Sequence, residues 1–182
     1  WARTVPGHFH ARYSAEARTY RYLVLNRLGR SALLAQRATV IYRPLDVERM
    51  RAAAALLLGE HDFSAFRAAG CQARSPVRRL QALQVERSGD RVIIDATANA
   101  FLHHMVRNLV GLLLDVGVGK APPQWAAEVL ASRDRTRSSP TAPAAGLYFW
   151  KVEYPQAFGL PTEAAGPVSA ILADPPSGQA SG

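Results

Sequence analysis

Arg107 is the residue whose setting most demands a chemical explanation. It stands among Met105, Val106, Leu109 and Val110, inside the stretch whose apolar spacing predicts the strongest helix of the chain. An arginine there either snorkels its head into water or pairs with an anion, because an unpaired buried charge is very costly. Helical spacing puts His103 one turn before it and Gly111 one turn after it on the same face. A glycine there lets another backbone or a ligand approach closely. Two readings stand: a solvent-exposed helical arginine, or a fixed cation that holds a catalytic carboxylate. No acid in the sequence is an obvious partner.

Tyr20 and Tyr22 form the second candidate pair. They sit in a basic, β-prone run with Arg18 and Arg21, and alternation puts both rings on one side of a strand. Aromatic rings between arginines suit stacking on an unpaired base with phosphates clamped beside it. Packing of one tyrosine into the core accounts for the pattern equally well.

Other chemistries lack support. His103 and His104, read on a helix, point about 100° apart and cannot form the i, i+4 pair of a zinc helix. His8 and His10 have no CxxC or further ligand run to join, so no metal is expected. Their expected role is hydrogen bonding within the fold or contact with RNA. Ser64, Ser75 and Ser88 lie in no GxSxG setting, and neither GxGxxG nor GxxxxGKS occurs, which removes the serine-hydrolase, dinucleotide and P-loop readings. Cys71 is the single cysteine, so no internal disulfide forms and a reducing, intracellular compartment is expected. Nearby arginines can lower its pKa, although a lone cysteine is more often passive.

These side chains need a scaffold, and the pattern provides one. Residues 18–26 and 37–42 read as strands. Asp46 caps a helix through Leu58 that stops at Gly59. Residues 60–76 read as loop. Residues 80–87 and 91–98 form a hairpin around Ser88-Gly89-Asp90. Helices follow over 101–116 and 124–131, then a strand over 146–154. The expected class is α+β, a mostly antiparallel sheet covered by helices on one face. A helix-free face carrying Arg and Tyr would suit a nucleic-acid groove. The organisation expected is a fold over 1–158, made of a basic strand region (1–45) and a helix, hairpin, helix and strand unit (46–158), followed by a Pro/Gly/Ala tail over 159–182.

Composition bounds the partners. A chain of 182 residues is enough for one domain that buries roughly 70% of its unfolded surface without staples. No apolar run is long enough to span a membrane. The net charge is +8, and all but two of the 22 basic residues are arginine, which makes flat, bidentate contacts to phosphate. Residues 1–45 carry eight arginines against one acid, Glu16. A polyanion, nucleic acid first of all, is the partner that this charge implies. A GC-rich genome that favours Arg and Ala gives the same composition.

Several blocks, in order, resemble a known family. They are Phe9-His10-Ala11-Arg12-Tyr13-Ser14-Ala15 followed by Tyr20-Arg21-Tyr22; Gly59-Glu60-His61-Asp62-Phe63-Ser64-Ala65-Phe66-Arg67; and Ala98-Asn99-Ala100-Phe101-Leu102-His103-His104-Met105-Val106-Arg107-Asn108-Leu109-Val110-Gly111. Arg133-Asp134-Arg135-Thr136, Ala142-Pro143-Ala144-Ala145-Gly146-Leu147-Tyr148 and Tyr154-Pro155 complete them. Together they resemble the A-type bacterial tRNA pseudouridine synthases over nearly all of residues 1–160. The resemblance implies an α+β fold of two similar halves around a central antiparallel sheet. It implies a cytoplasmic homodimer without cofactor or metal, acting on the tRNA anticodon stem–loop. The implied reaction detaches a flipped-out uracil, turns it and rejoins it through carbon. A catalytic aspartate, a tyrosine stacked on the base and an arginine paired with the aspartate are implied too.

The tyrosine carries over onto Tyr20 and the arginine onto Arg107. His10, Arg12, Arg21 and Leu147 join Tyr20 as expected substrate-binding residues, with Tyr148 beside Leu147 on the pocket wall. The family's aspartate lies in a Gly-Arg-Thr-Asp-Ala-Gly block upstream of Phe-His-Ala-Arg, and that block does not occur here. The chain, which begins at Trp1, therefore reads as a C-terminal portion without the nucleophile, expected to be inactive by itself. The rival readings are a non-catalytic basic RNA-binding module and a small basic scaffold or ribosome-associated protein.

Overall fold

The computed structural model describes residues 2–29 and 31–161. Strand β1 (Ala17–Asn26) is the spine of a six-stranded sheet. The other strands are β2 (Thr39–Ile41), β3 (Gly59–Asp62), β4 (Val77–Ser88), β5 (Arg91–Ala98) and β6 (Leu147–Glu153). The sheet runs β2-β1-β5-β4-β3, and β6 pairs the first half of β1 on the side where β2 pairs its last residues. Four of the five pairings are antiparallel; only β1 with β2 is parallel. The class is α+β, as the alternation of elements implies.

Side-chain parity on β1 sorts the two faces. Tyr22 and Val24 enter the main core with Val92, Ile94, Ala96 and Ala98 of β5, under α1 (Val47–Ala55), α2 (Met105–Gly117) and α3 (Trp125–Ser132). Leu23 and Leu25 point the other way, into a small cluster with Ala38, Leu34, Val40, Ile93 and Tyr148. A half-buried antiparallel sheet gives this pattern when only one face carries helices.

Local signals behave as their chemistry predicts. Asp46 Oδ1 accepts from the Arg49 N–H at 3.0 Å and caps α1. Gly89, at φ 58°, lets β4 turn into β5 with Ser88 opposite Arg91.

Four expectations need correction. Helix α1 ends at Ala55 rather than Leu58, because the Leu56 and Leu57 N–H groups close tighter i−3 turns onto Ala53 O and Ala54 O before β3. Residues 59–62 are a strand, not loop. Their sequence, Gly-Glu-His-Asp, has poor β propensity, and the strand exists because it pairs Leu80 to Val77 of β4 at the sheet edge. The strand β4 accordingly starts at Val77 rather than Leu80. Helix α2 starts at Met105 rather than Phe101. The loop after β3 takes the preceding segment for itself: the Ala68 N–H donates to His103 O at 3.1 Å, the His103 N–H reaches Cys71 Sγ at 3.4 Å, and His104 adopts φ 60°. The two histidines are thus not helical neighbours; their rings lie 4.0 Å apart ahead of the helix.

Of the tail expected over 159–182, only 159–161 lie within the described residues. Gly159 closes a 3₁₀ turn (Gln156–Phe158), and its carbonyl accepts from Arg3. Among the described residues no helix is long and apolar enough to cross a membrane.

Candidate active site

An open pocket of about 940 Å³ lies where the first half of β1, the start of α2 and β6 meet. Tyr20, Phe101, Leu147, Phe149, His103, His104 and Arg107 line it, and Arg12, Arg18 and Arg78 stand at its walls. No acid is among its lining residues, so four arginines set its potential and favour an anionic ligand.

The pocket corrects the expected placement of the groove. It opens on the helix-bearing side of the sheet, since Tyr20 shares parity with buried Tyr22. The two tyrosines divide the two readings between them. Tyr22 is fully buried, its hydroxyl 2.6 Å from Thr39 Oγ1 and 2.7 Å from Pro143 O. Burial, the largest influence, raises its pKa above the ordinary tyrosine value, against lowering by the Thr39 hydrogen bond and the Arg107 charge. Tyr20 is half-buried and forms edge-to-face contacts with Phe101 at 5.2 Å and Phe149 at 5.3 Å. Its hydroxyl has no hydrogen-bond partner among the described residues.

Arg107 lies in the first turn of α2, not mid-helix, because the helix begins late. Its Nε donates to Ala142 O at 2.7 Å, and its Nη1 lies 3.3 Å from His104 Nε2. The neighbour expected one turn back was His103; the late start brings His104 there instead. Burial, then the charges of His103 and Arg107, lower the His104 pKa, which keeps the imidazole neutral and able to accept. Among the described residues no carboxylate forms an ion pair with Arg107. The close approach expected at Gly111 is real: a Cβ there would stand 2.2 Å from Pro140 O.

The other expected contact residues divide. Arg12 and Leu147 line the pocket. His10 does not; its Nδ1 accepts from the Arg12 and Tyr13 N–H groups at 3.1 and 3.3 Å, and it shapes the turn that carries Arg12. Arg21 points to the helix-free face. There it grips Asp95 through two bonds of 2.8 and 2.6 Å and covers the Trp150 ring at 3.8 Å. The parity of β1 forces this, because Arg21 lies between two tyrosines that face the other way. Tyr148 has the parity of Arg21, and its hydroxyl donates to Arg37 O at 2.6 Å.

Sequence reasoning missed Phe149 and Arg78. Phe149 stands opposite Tyr20 across the β1–β6 pairing, beside an irregularity between Thr19 and Tyr20. Only the register reveals that. Arg18 donates to Asn99 O at 2.7 Å and to Arg12 O, tying the Arg12 turn to the end of β5.

The fold and pocket define an α+β protein with a cationic, aromatic-walled cavity beside the start of a helix. A family model described as tRNA pseudouridine synthase matches residues 53–155. The chain is 57% identical over 164 residues to tRNA pseudouridine synthase A of Methylococcus capsulatus, covering 90% of this chain and 60% of that protein. It is 57% identical over 161 residues to the protein of the same name from Hydrogenovibrio crunogenus, covering 88% of this chain and 62% of that one. The namesake from Salmonella paratyphi B is 53% identical over 174 residues, 96% of this chain and 64% of that protein. The chain belongs to the tRNA pseudouridine synthase family. It spans a little over three-fifths of the length of these relatives.

Proposed function

We propose that this chain carries the tyrosine and arginine side of a site that isomerises uridine to pseudouridine in tRNA. The observation that carries the reading is the convergence of Tyr20, Arg107 and three further arginines, with no acid, on one open pocket. A uridine turned out of the anticodon stem–loop enters between the aromatic walls, and Arg12, Arg18 and Arg78 take its flanking phosphates. Arg107 holds the nucleophilic aspartate, and the Tyr20 hydroxyl serves as base for the carbon-bound proton late in the reaction. The aspartate comes from the part of the family's length that this chain does not span. The working enzyme is a cytoplasmic homodimer.

One observation favours a narrower role for the chain by itself: no carboxylate pairs with Arg107 among the described residues. The 182-residue chain is then an RNA-binding module without turnover. The test is pseudouridine formation in tRNA alongside binding of an anticodon hairpin and unrelated hairpins. The expected outcome is binding without product, with product once the chain is joined to a segment carrying the aspartate block. Product from the chain alone refutes the assignment of the nucleophile. Indifference to hairpin identity favours a general RNA scaffold. Salt dependence does not separate these readings, because each neutralises phosphates.

A further inference from the structure

Asn108 follows Arg107 on α2 and is fully buried. Its Nδ2 donates to Phe66 O at 2.7 Å. Its Oδ1 accepts from Thr141 Oγ1 at 2.7 Å and from Arg135 Nη2 at 3.1 Å, and the same Nη2 reaches Thr141 Oγ1 at 3.0 Å. Asn108 of α2 and two residues of the 135–141 stretch thus close one cluster across 27 and 33 positions of sequence. Arg135 brings a charge against two neutral acceptors, with no described carboxylate in ion-pair reach. Asn108 is the buried member, and an amide out of reach of water is costly unless both its ends are bonded.

The cluster's position gives it a use. Thr141 precedes Ala142, whose carbonyl receives Arg107 Nε and whose N–H donates to Arg107 O. Residues 138–146 have no regular structure, and an irregular segment holds one geometry only where it is pinned. Pro140 is pressed against Gly111, and Pro143 O lies by the Tyr22 hydroxyl. The pin next to the acceptor of Arg107 is Thr141.

We propose that Arg135, Thr141 and Asn108 form a bolt that fixes the Ala142 carbonyl and through it aims the Arg107 guanidinium into the pocket. They are positioning residues; none lines the cavity. The consequence for turnover rests on the role of Arg107 proposed above, whereas the bolt itself does not.

The test reads the Arg107 Nε–H directly by nitrogen-15 NMR on the 182-residue chain. Thr141→Val removes the hydroxyl at constant shape, Arg135→Lys keeps the charge with fewer donors, and Thr141→Ser restores the hydroxyl. The first two are expected to speed exchange of the Arg107 Nε–H about tenfold, the loss of one hydrogen bond's protection, while the Leu112 amide slows or speeds with global stability only. Thr141→Ser is expected to match the parent. A parent-like Nε–H in both Thr141→Val and Arg135→Lys overturns the bolt. So does a change that merely follows the Leu112 amide.

In the enzyme of full family length, Thr141→Val is expected to lower kcat with KM for tRNA unchanged, and Arg107→Lys to lower it further. A loosened Arg107 Nε–H in Thr141→Val and Arg135→Lys, together with full turnover of Arg107→Lys, supports the bolt and refutes the functional reading instead.

Discussion

Arg107 and Ala142 hold each other twice. The Ala142 N–H donates to Arg107 O at 3.1 Å, and Arg107 Nε donates back to Ala142 O at 2.7 Å. The ring so formed spends Nε on a neutral carbonyl, while Nη1 stands beside His104 Nε2, and both residues line the pocket. Main chain and side chain are therefore coupled: a shift of the 138–146 segment at Ala142 moves the acceptor that Arg107 Nε holds.

Gly111 sets how close the 138–146 segment comes to α2. A Cβ there would lie 2.2 Å from Pro140 O, and a main-chain carbonyl cannot rotate aside as a side chain can. Gly111→Ala gains up to about 1 kcal/mol of helix propensity but incurs an overpacking cost of about 1–3 kcal/mol. The clash wins, because Thr141 and Ala142 are both hydrogen-bonded and resist displacement. The expected result is a lower denaturant midpoint with an unchanged m value in urea unfolding.

Much of the fold could be read from sequence because the signals were local. Asp46, Gly89 and the alternation of 80–98 each act within a few residues. The strand over 59–62 and the start of α2 could not be read, since each is decided by partners distant in sequence: β4 for one, Ala68 and Cys71 for the other. The same divide runs through the site. Tyr20 and Arg107 stand out by type and context. Phe149 and Arg135 do not, because their roles depend on the register of β6 and the return of 138–146 across α2. Strand parity alone sets Arg21 opposite the two tyrosines, but its grip on Asp95 depends on the register of β1 against β5.

The two tyrosines of β1 are expected to behave oppositely. Two hydroxyl protons, those of Tyr22 and Thr39, serve three short contacts among Tyr22, Thr39, Pro143 and Ala145. Tyr22→Phe leaves buried acceptors short and is expected to cost about 1–2 kcal/mol in thermal or urea unfolding. Tyr20→Phe removes a hydroxyl without a described partner. It is expected to leave stability within about 0.5 kcal/mol, to keep hairpin affinity, and to abolish turnover in the full-length enzyme. Equal activity of that variant removes Tyr20 from the mechanism.

The raised pKa of Tyr22 gives a pH signature. Burial disfavours the phenolate in the folded chain, while the unfolded tyrosine ionises near pH 10. Below that pH both states are protonated and its contribution is fully present. Above it the unfolded state loses its proton first, so stability falls as pH rises toward the higher folded value. Tyr22→Phe is expected to flatten this alkaline decline, measured by urea midpoints across alkaline pH.

Cys71 offers a chemical probe of the pocket it lines. Burial works to raise its pKa but is outweighed by hydrogen bonds from His103 and Ala73 and by the Arg67 side chain, so the thiol sits below its ordinary value. Alkylation by iodoacetamide is expected to rise with pH through a midpoint below that of a free cysteine. Arg67→Met is expected to move that midpoint up. A bound anticodon hairpin is expected to slow the reaction at every pH; unchanged rates would place the RNA elsewhere.

Phe149 is the clearest test of the proposed stacking of a base in the pocket. Its ring is 57% exposed, yet it stands edge-to-face with Tyr20 at 5.3 Å, facing a cavity walled by arginines. An exposed aromatic face beside cations is a stacking platform, and one stacked base contributes about 1–3 kcal/mol. Phe149→Ala is expected to weaken hairpin binding on the order of ten- to a hundredfold and to cost about 1 kcal/mol or less in stability. The control is Leu28→Ala, since Leu28 is 86% exposed and outside the pocket; its affinity is expected to equal the parent's. Equal weakening by both variants would mean that general apolar surface holds the RNA. No weakening by Phe149→Ala refutes the stacking role proposed for Phe149.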